Sequence, residues 1–404
     1  MIISILFYFF FAVALFTLGC EDYYLSAGRD VAKKRKLILK IRPRFKVFSK
    51  KTRIGNHPFA TTFTIAIILL FTIISAMRYR VGADCESYVT SFESIISGHN
   101  HLLDQDFEKS YYVICKSLGT IGFGRVGFLG FWAMLDISLF LFALKDRRYL
   151  IPFALYALVL GPYYISWMNG LRQVLASMIF LVASVYLVDQ NRRILYLFLI
   201  LLAIFIHKSA VILIPLAFLP IIKTRKNKYI LCATVLLSFI VGQSAFVNEF
   251  LNKAEGIIAI LGYDNYSDRI DYFSEISNEM SIGPRRLLLL CISLCICWMA
   301  NDMSSYFNDN FFDLSFSLFF IHTCFKNHLL INASSVFWRP FLYFEVFELI
   351  VISYFLVYLL KRYTFRSPRF IIGLFLISLY TCFVCLSAAS DPEEAILYKL
   401  IFLQ

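Results

Sequence analysis

The chain runs in continuous apolar stretches of roughly 17–22 residues separated by polar loops, and that pattern leaves few folds open. A stretch of this length, wound as an α-helix, covers a hydrocarbon core of about 30 Å. Lipid offers the backbone no hydrogen bonds, so a spanning segment must satisfy its own, which restricts it to helices or closed barrels. The stretches do not alternate polar and apolar residues as barrel strands do, and they are too numerous for interfacial anchors. With 59% hydrophobic and 16% charged residues, a soluble fold could not hide the apolar surface. The expectation is an all-α, polytopic integral membrane protein with about twelve transmembrane helices, forming a single transmembrane domain over residues 1–404.

The expected spans lie near residues 2–19, 59–77, 126–144, 149–166, 171–188, 194–207, 209–222, 229–247, 287–300, 312–331, 341–360 and 370–389. The leading MIISILFYFFFAVALFTLGC has neither a basic lead nor a small-residue cleavage site, and it reads as a retained first helix. Cys291, Cys295 and Cys297 share one apolar run, where small hydrophobes on a helix face are the ordinary explanation. No CxxC pair has a matching partner, so no metal site is expected. Cys85 and Cys115 lie on the face read as outward, either as a disulfide or, by default, as interfacial thiols.

Charge orients the helices. The loops at 20–58, 145–148, 189–193, 223–228 and 361–369 alternate onto one face and hold 25 of the 39 Lys and Arg, which makes that face cytoplasmic and leaves both termini outward. The loop 301–311, with Asp302 and Asp309, is a local exception. The basic loop 20–58, with KKRK at 33–36, reads as a topology anchor that also suits acidic membrane lipid. A net charge of +12 would suggest nucleic acid in a soluble chain; here topology explains most of it, and no nucleic-acid partner is expected. Two outward loops, 78–125 and 248–286, are too long for simple turns and are where function is expected.

Fourteen basic residues remain that orientation does not explain. Isolated lysines among them are ordinarily snorkelling groups. Arginines set in polar motifs suggest an anionic ligand such as a phosphate or pyrophosphate. The first motif, RYRVGADCESY, carries Arg78, Arg80, Asp84 and Tyr88, with Gly82 free to turn. DFEKSYY offers Asp106, Glu108, Tyr111 and Tyr112, and a carboxylate at such an interface is either a general acid or base or simply a solvated charge. WMNGLRQ places Asn169, Arg172 and Gln173 at the start of a helix, whose N–H groups favour an anion. FIHKSAV sets His207 and Lys208 where two apolar halves meet, and VFWRPFLYF presents Arg339 before Pro340, with Tyr343 a turn further on.

In order along the chain, these five motifs resemble the EpsG family of Wzy-like exopolysaccharide and O-antigen polymerases. Arg80, Val81, Gly82, Asp84 and Tyr88 match an Arg-rich VGxDxxxY segment, and Glu108 and Tyr111 match an ExxY segment in which Lys109 and Ser110 replace the usual Pro-Gly. Asn169, Arg172, Gln173 and Ala176 match NxxRQxxA; His207, Ser209 and Ala210 match FHxSA with Ile206 for Phe; Arg339, Tyr343 and Phe344 match RxxxYF. The likeness spans residues 59 to 350.

The resemblance implies a fold like that of GT-C-like lipid-linked sugar polymerases, and an enzyme at the periplasmic face of the bacterial inner membrane. Its implied substrate is an undecaprenyl-pyrophosphate-linked oligosaccharide, joined into O-antigen, capsule or exopolysaccharide, with no cofactor and with a chain-length regulator as a further conceivable partner. On this reading Arg80, Arg172 and Arg339, supported by Arg78, hold the pyrophosphate. Tyr88, Asn169, Gln173 and Tyr343 complete substrate binding, and the base is Asp84, Glu108 or His207, unranked. A flippase for the lipid-linked sugar and an O-antigen ligase are the rival readings. Apart from Lys326, Glu345 and Glu348, the chain shows little of the polar lining through the bilayer that a flippase needs.

Overall fold

The computed structural model describes residues 2–26, 60–82, 84–98, 108–161, 163–188, 192–218, 227–244, 284–330, 339–362, 367–369, 371–375 and 378. Most of the basic loop 20–58, most of the loop 248–286, Asp106 and most of the last expected span lie outside the described residues. Those described are helical with no strand among them. The chain divides into two compact units, one of residues 1–219 with 384–404 and the other of residues 220–383.

The first unit begins with α1 (Ile2–Ser26), α2 (Thr62–Ala76), α3 (Cys85–Ser97), α4 (Lys109–Thr120) and α5 (Arg125–Ala143). A 3-10 segment, Lys145–Leu150, leads into α6 (Ile151–Leu160), followed by α7 (Tyr163–Asn169), α8 (Leu171–Leu187), α9 (Arg193–Ile206) and a 3-10 helix, Lys208–Ala217. Local chemistry sets several ends. Thr61 and Thr64 form a reciprocal capping box at α2, Pro152 occupies the first turn of α6, and Gly98 closes α3 with φ +78°. Where helices approach closely the residues are small: a Cβ on Gly19 would stand 3.0 Å from Pro152, and one on Gly130 3.2 Å from Ala76.

Rings fill the spaces between these helices. Phe11 and Phe71 both meet Tyr164 edge-on at 5.7 Å, and Phe92 stacks on Phe128 at 4.5 Å. One buried ion pair fastens α1 to the 3-10 segment: Arg148 Nη1 lies 2.8 Å from both oxygens of Asp22, which also accepts from Thr61 and Thr64. Arg148 is one of the charges credited above to topology, yet it is withdrawn into the protein against a carboxylate.

The second unit contains α10 (Lys228–Gly242), α11 (Pro284–Phe307), α12 (Asn310–His322), a π-helical turn Thr323–Leu329, a 3-10 turn Arg339–Phe344, and α13 (Glu345–Arg362). The loop expected at 301–311 is mostly helix, because α11 continues to Phe307. Asn308 at φ +45° then ends it, and Asp309 caps α12 by accepting from Phe311 N–H.

Among the described residues, four helices are long and apolar enough to cross a membrane: Ser4–Ser26, Arg125–Ala143, Arg286–Phe307 and Arg339–Arg362. The bent pair Lys145–Leu160 and Tyr163–Asn169 would make a fifth. Five further apolar helices, among them Thr62–Ala76 and Lys228–Gly242, have 10–17 residues and fall short of a bilayer core. The span expected at 209–222 is a 3-10 helix ending at Ala217, with Pro215 inside it lacking the N–H that an α-helix would use. The span expected at 312–331 stops being α-helical at His322. These apolar helices make the chain an integral membrane protein.

Candidate functional site

In the first unit the polar motifs converge on Glu108, the residue before α4, which is 7% exposed. Its Oε1 lies 2.8 Å from Nδ1 of His207 and accepts from the N–H of Lys208 at 3.1 Å, while Oε2 accepts from Nη1 of Arg172. Sequence places these groups far apart; structure supplies each in turn. Glu108 is presented by the start of α4, Arg172 by the first turn of α8, and His207 by the extended residue between α9 and the following 3-10 helix. Ser110 donates to the carbonyl of Phe205 and ties α4 to the end of α9.

Aromatic rings close one side. The Arg172 guanidinium sits 5.5 Å from the centre of the Tyr111 ring, and Tyr111 meets Tyr88 edge-on at 6.1 Å and donates to the Tyr88 carbonyl at 3.3 Å. Burial pushes the phenols of Tyr88 and Tyr111 up, so both stay neutral. Burial also pushes Glu108 up, but the hydrogen bond from His207, the charges of Arg172 and His207 and the N–H of Lys208 outweigh it and bring the carboxyl down to about 2. Glu108 is therefore an anion with every near neighbour already donating to it. That makes it a poor proton acceptor.

His207 is the group it leaves available. When the imidazole is neutral, the carboxylate at Nδ1 favours the tautomer with hydrogen there, which leaves the lone pair on Nε2. The side chain is 24% exposed, against 7% for Glu108. The arrangement can orient an imidazole, accept a proton at Nε2 and stabilise negative charge nearby through Arg172.

The RYRVGADCESY motif builds the adjoining turn. Gly82, at φ +95°, packs against the backbone of Met168 and Asn169, and Asn169 Oδ1 accepts from Asp84 N–H at 2.7 Å. Asn169 and Asp84 are thus joined, and the Asp84 side chain is exposed on this turn. Arg80 is exposed with φ +53°, and it and Arg125 approach the Tyr79 ring at 5.3 and 4.7 Å. Arg125 is also paired with Glu86. Gln173 is half-buried beside Arg172.

Arg78, expected to support the other arginines, lies inside the protein. It is wholly buried, donating to the carbonyls of Ser75 at 2.6 Å and Met168 at 3.4 Å. Asp136, in α5, is equally buried, and neither of its oxygens has a hydrogen-bond partner. An aspartate inside an apolar span was the available signal, since such a residue is expensive in lipid. Cys85 and Cys115 are free, buried thiols. Burial pushes Cys115 up to about 12, so it stays protonated.

Arg339 and Tyr343 belong to the second unit, on the 3-10 turn before α13, with Arg339 exposed and Tyr343 buried. His322 reaches that turn at Phe341, and Asn327 and His328 lie on the π-helical turn that follows His322; the motifs did not reach these three. Among the described residues no three His, Cys, Asp or Glu side chains converge as metal ligands.

A model of the EpsG family matches residues 61–400. No curated protein and no solved structure matches the chain.

Proposed function

We propose a reaction from one premise: the chain belongs to the EpsG family, the family of Wzy-like polysaccharide polymerases, and membership makes it a membrane polysaccharide polymerase in general terms. The finer reading is that it joins undecaprenyl-pyrophosphate-linked oligosaccharide repeat units into O-antigen, capsule or exopolysaccharide at the periplasmic face of the inner membrane. The observation that supports it best is the Glu108 carboxylate gripped by both His207 and Arg172.

In this reading His207 Nε2 takes the proton of the acceptor hydroxyl as its oxygen attacks the anomeric carbon of the donor sugar. The bond from that carbon to the pyrophosphate oxygen breaks, and its electron pair leaves on the lipid pyrophosphate. Glu108 is a positioning residue that orients His207. Arg172 and the exposed Arg80 stabilise the departing charge, and Asp84, Tyr88, Asn169 and Gln173 contact sugar. Within the second unit, taken by itself, Arg339 meets an anionic group of the lipid-linked substrate, and Tyr343 lies on the same 3-10 turn. General-base catalysis of this kind is worth about 10²–10⁴-fold, and electrostatic stabilisation of the leaving group about 10²–10³-fold per donor.

The test is surface-polysaccharide chain length in a strain lacking the gene. Single repeat units on the anchor in place of a ladder support the polymerase. Loss of all surface repeats with internal accumulation would overturn it in favour of a flippase, a reading to which the buried polar side chains of α12 and α13 lend their one observation. Ladders that persist on the lipid carrier but never reach their final anchor would point to a ligase.

A further inference from the structure

The second unit carries a two-rung polar ladder between α12, with its π-helical continuation, and the head of α13. Lys326 Nζ lies 3.3 Å from Glu345 Oε1; one turn away, His322 Nε2 lies 3.1 Å from Glu348 Oε2. Residue numbers rise on one side as they fall on the other, so the two helices run antiparallel. The outer rung is part-exposed, with side chains 25% and 10% accessible, and the inner is closed, at 0% and 6%. Asn327 Nδ2 donates to both Glu348 oxygens, at 3.3 and 3.4 Å.

His322 has a second attachment. Its Nδ1 stands 3.0 Å from the carbonyl of Phe341, inside the Arg339–Phe344 turn; a carbonyl and a carboxylate can only accept, so the ring holds both as an imidazolium, with hydrogen on Nδ1 toward Phe341 and on Nε2 toward Glu348. The Phe341 ring lies parallel on Phe325 at 4.8 Å. Pro340 removes one backbone donor from this turn. Two of its attachments come from the facing helix: the imidazole of His322 in α12 and the ring of Phe325 in the π-helical turn that continues it. Burying a carboxylate and a histidine among phenylalanines is costly, and removing one partner leaves the other uncompensated. Such a pair is retained where it sets a geometry.

We propose that His322 and Glu348 are positioning residues for Arg339: Glu348, held by Asn327, orients His322, and His322 fastens the 3-10 turn so that Arg339 meets an anionic group of the lipid-linked substrate in one direction. This rests on the role given to Arg339 above.

The experiment uses full-length protein in detergent with lipid-linked repeat units extracted from a strain lacking the gene. Glu348→Gln keeps the shape and the acceptance from Asn327; His322→Gln removes the imidazole. Phe325→Ala loosens the same turn at a part-exposed ring without touching a buried charge, which keeps the test open if either buried variant fails to fold. Each is expected to lower kcat by about tenfold to a hundredfold, the scale of a small misplacement of a binding group. In an Arg339→Lys background the same changes are expected to add almost nothing, because the group they position is already altered. Losses that multiply in that background, or full activity in all three variants, would overturn the proposal. Full activity of Arg339→Ala would instead remove the role of Arg339, so the two failures are told apart by which variant is silent.

Discussion

Glu108 and His207 stand ninety-nine residues apart in the chain and 2.8 Å apart in space, carboxylate oxygen against Nδ1. The pairing separates two groups that sequence offered as equivalent bases. Replacing Glu108 by Gln keeps the shape but allows the imidazole its other tautomer, which places hydrogen on Nε2. Polymer formation is expected to fall by about 10²-fold or more, with His207→Ala no less severe and the double variant little worse than either. Initial rates of chain extension in membranes containing equal protein check this. Independent, multiplying losses would dissolve the dyad.

Arg172 and Arg78 differ in what they hold. Arg172 reaches a carboxylate at the edge of the site, whereas Arg78 is enclosed and donates to Ser75 and Met168 carbonyls. Arg172→Ala is expected to abolish polymer while membrane protein level stays unchanged. Arg78→Met abandons two buried carbonyls at a cost of about 1–3 kcal/mol and is expected to lower protein level and thermal stability. Quantitative immunoblots beside polysaccharide ladders separate the two, and a normal level of Arg78→Met would show that its burial carries no structural weight.

What sequence could reveal here followed from period and charge. Apolar runs gave helices at nearly every expected place, and Arg172, Glu108, His207 and Tyr88 were all singled out from motifs that converge in one unit. It could not rank the bases, because rank depends on which oxygen faces which nitrogen. Nor could it see that Arg148 closes on Asp22, since a basic residue in a short loop has the same appearance whether it orients the chain or is buried against a carboxylate. The 3-10 helix at Lys208–Ala217 and the π turn at Thr323–Leu329 were hidden for a different reason: hydropathy reports burial, and is blind to how the backbone bonds are spaced.

Acid should reveal the paired state of Glu108. Its carboxyl lies at about 2 in the folded protein against an ordinary 4.5. A depressed folded value contributes stability that is complete above the unfolded value and disappears as pH falls to the folded one. The difference in Tm between the wild-type protein and Glu108→Gln in detergent is therefore expected to close as pH falls between about 4.5 and 2. Differential scanning fluorimetry over that range reads it directly. A difference that closes well above pH 5 would mean that the carboxylate is not held by His207 and Arg172.

Gly82 offers a test of the turn that joins the two halves of the site. It sits at φ +95°, where a side chain is strained whatever the space, and a Cβ there would stand 3.4 Å from the Met168 carbonyl, which is ordinary contact. Conformation, more than crowding, should therefore set the penalty of Gly82→Ala, about 1–2 kcal/mol. The strain is relieved if the turn opens, and opening moves Asp84 N–H away from Asn169 and shifts Arg80 with it. Gly82→Ala is accordingly expected to lower Tm modestly and polymer length markedly, with Gly82→Asn milder because asparagine tolerates positive φ better. Equal effects of Ala and Asn on both measurements would show that space at Met168, and not the backbone angle, is what requires glycine.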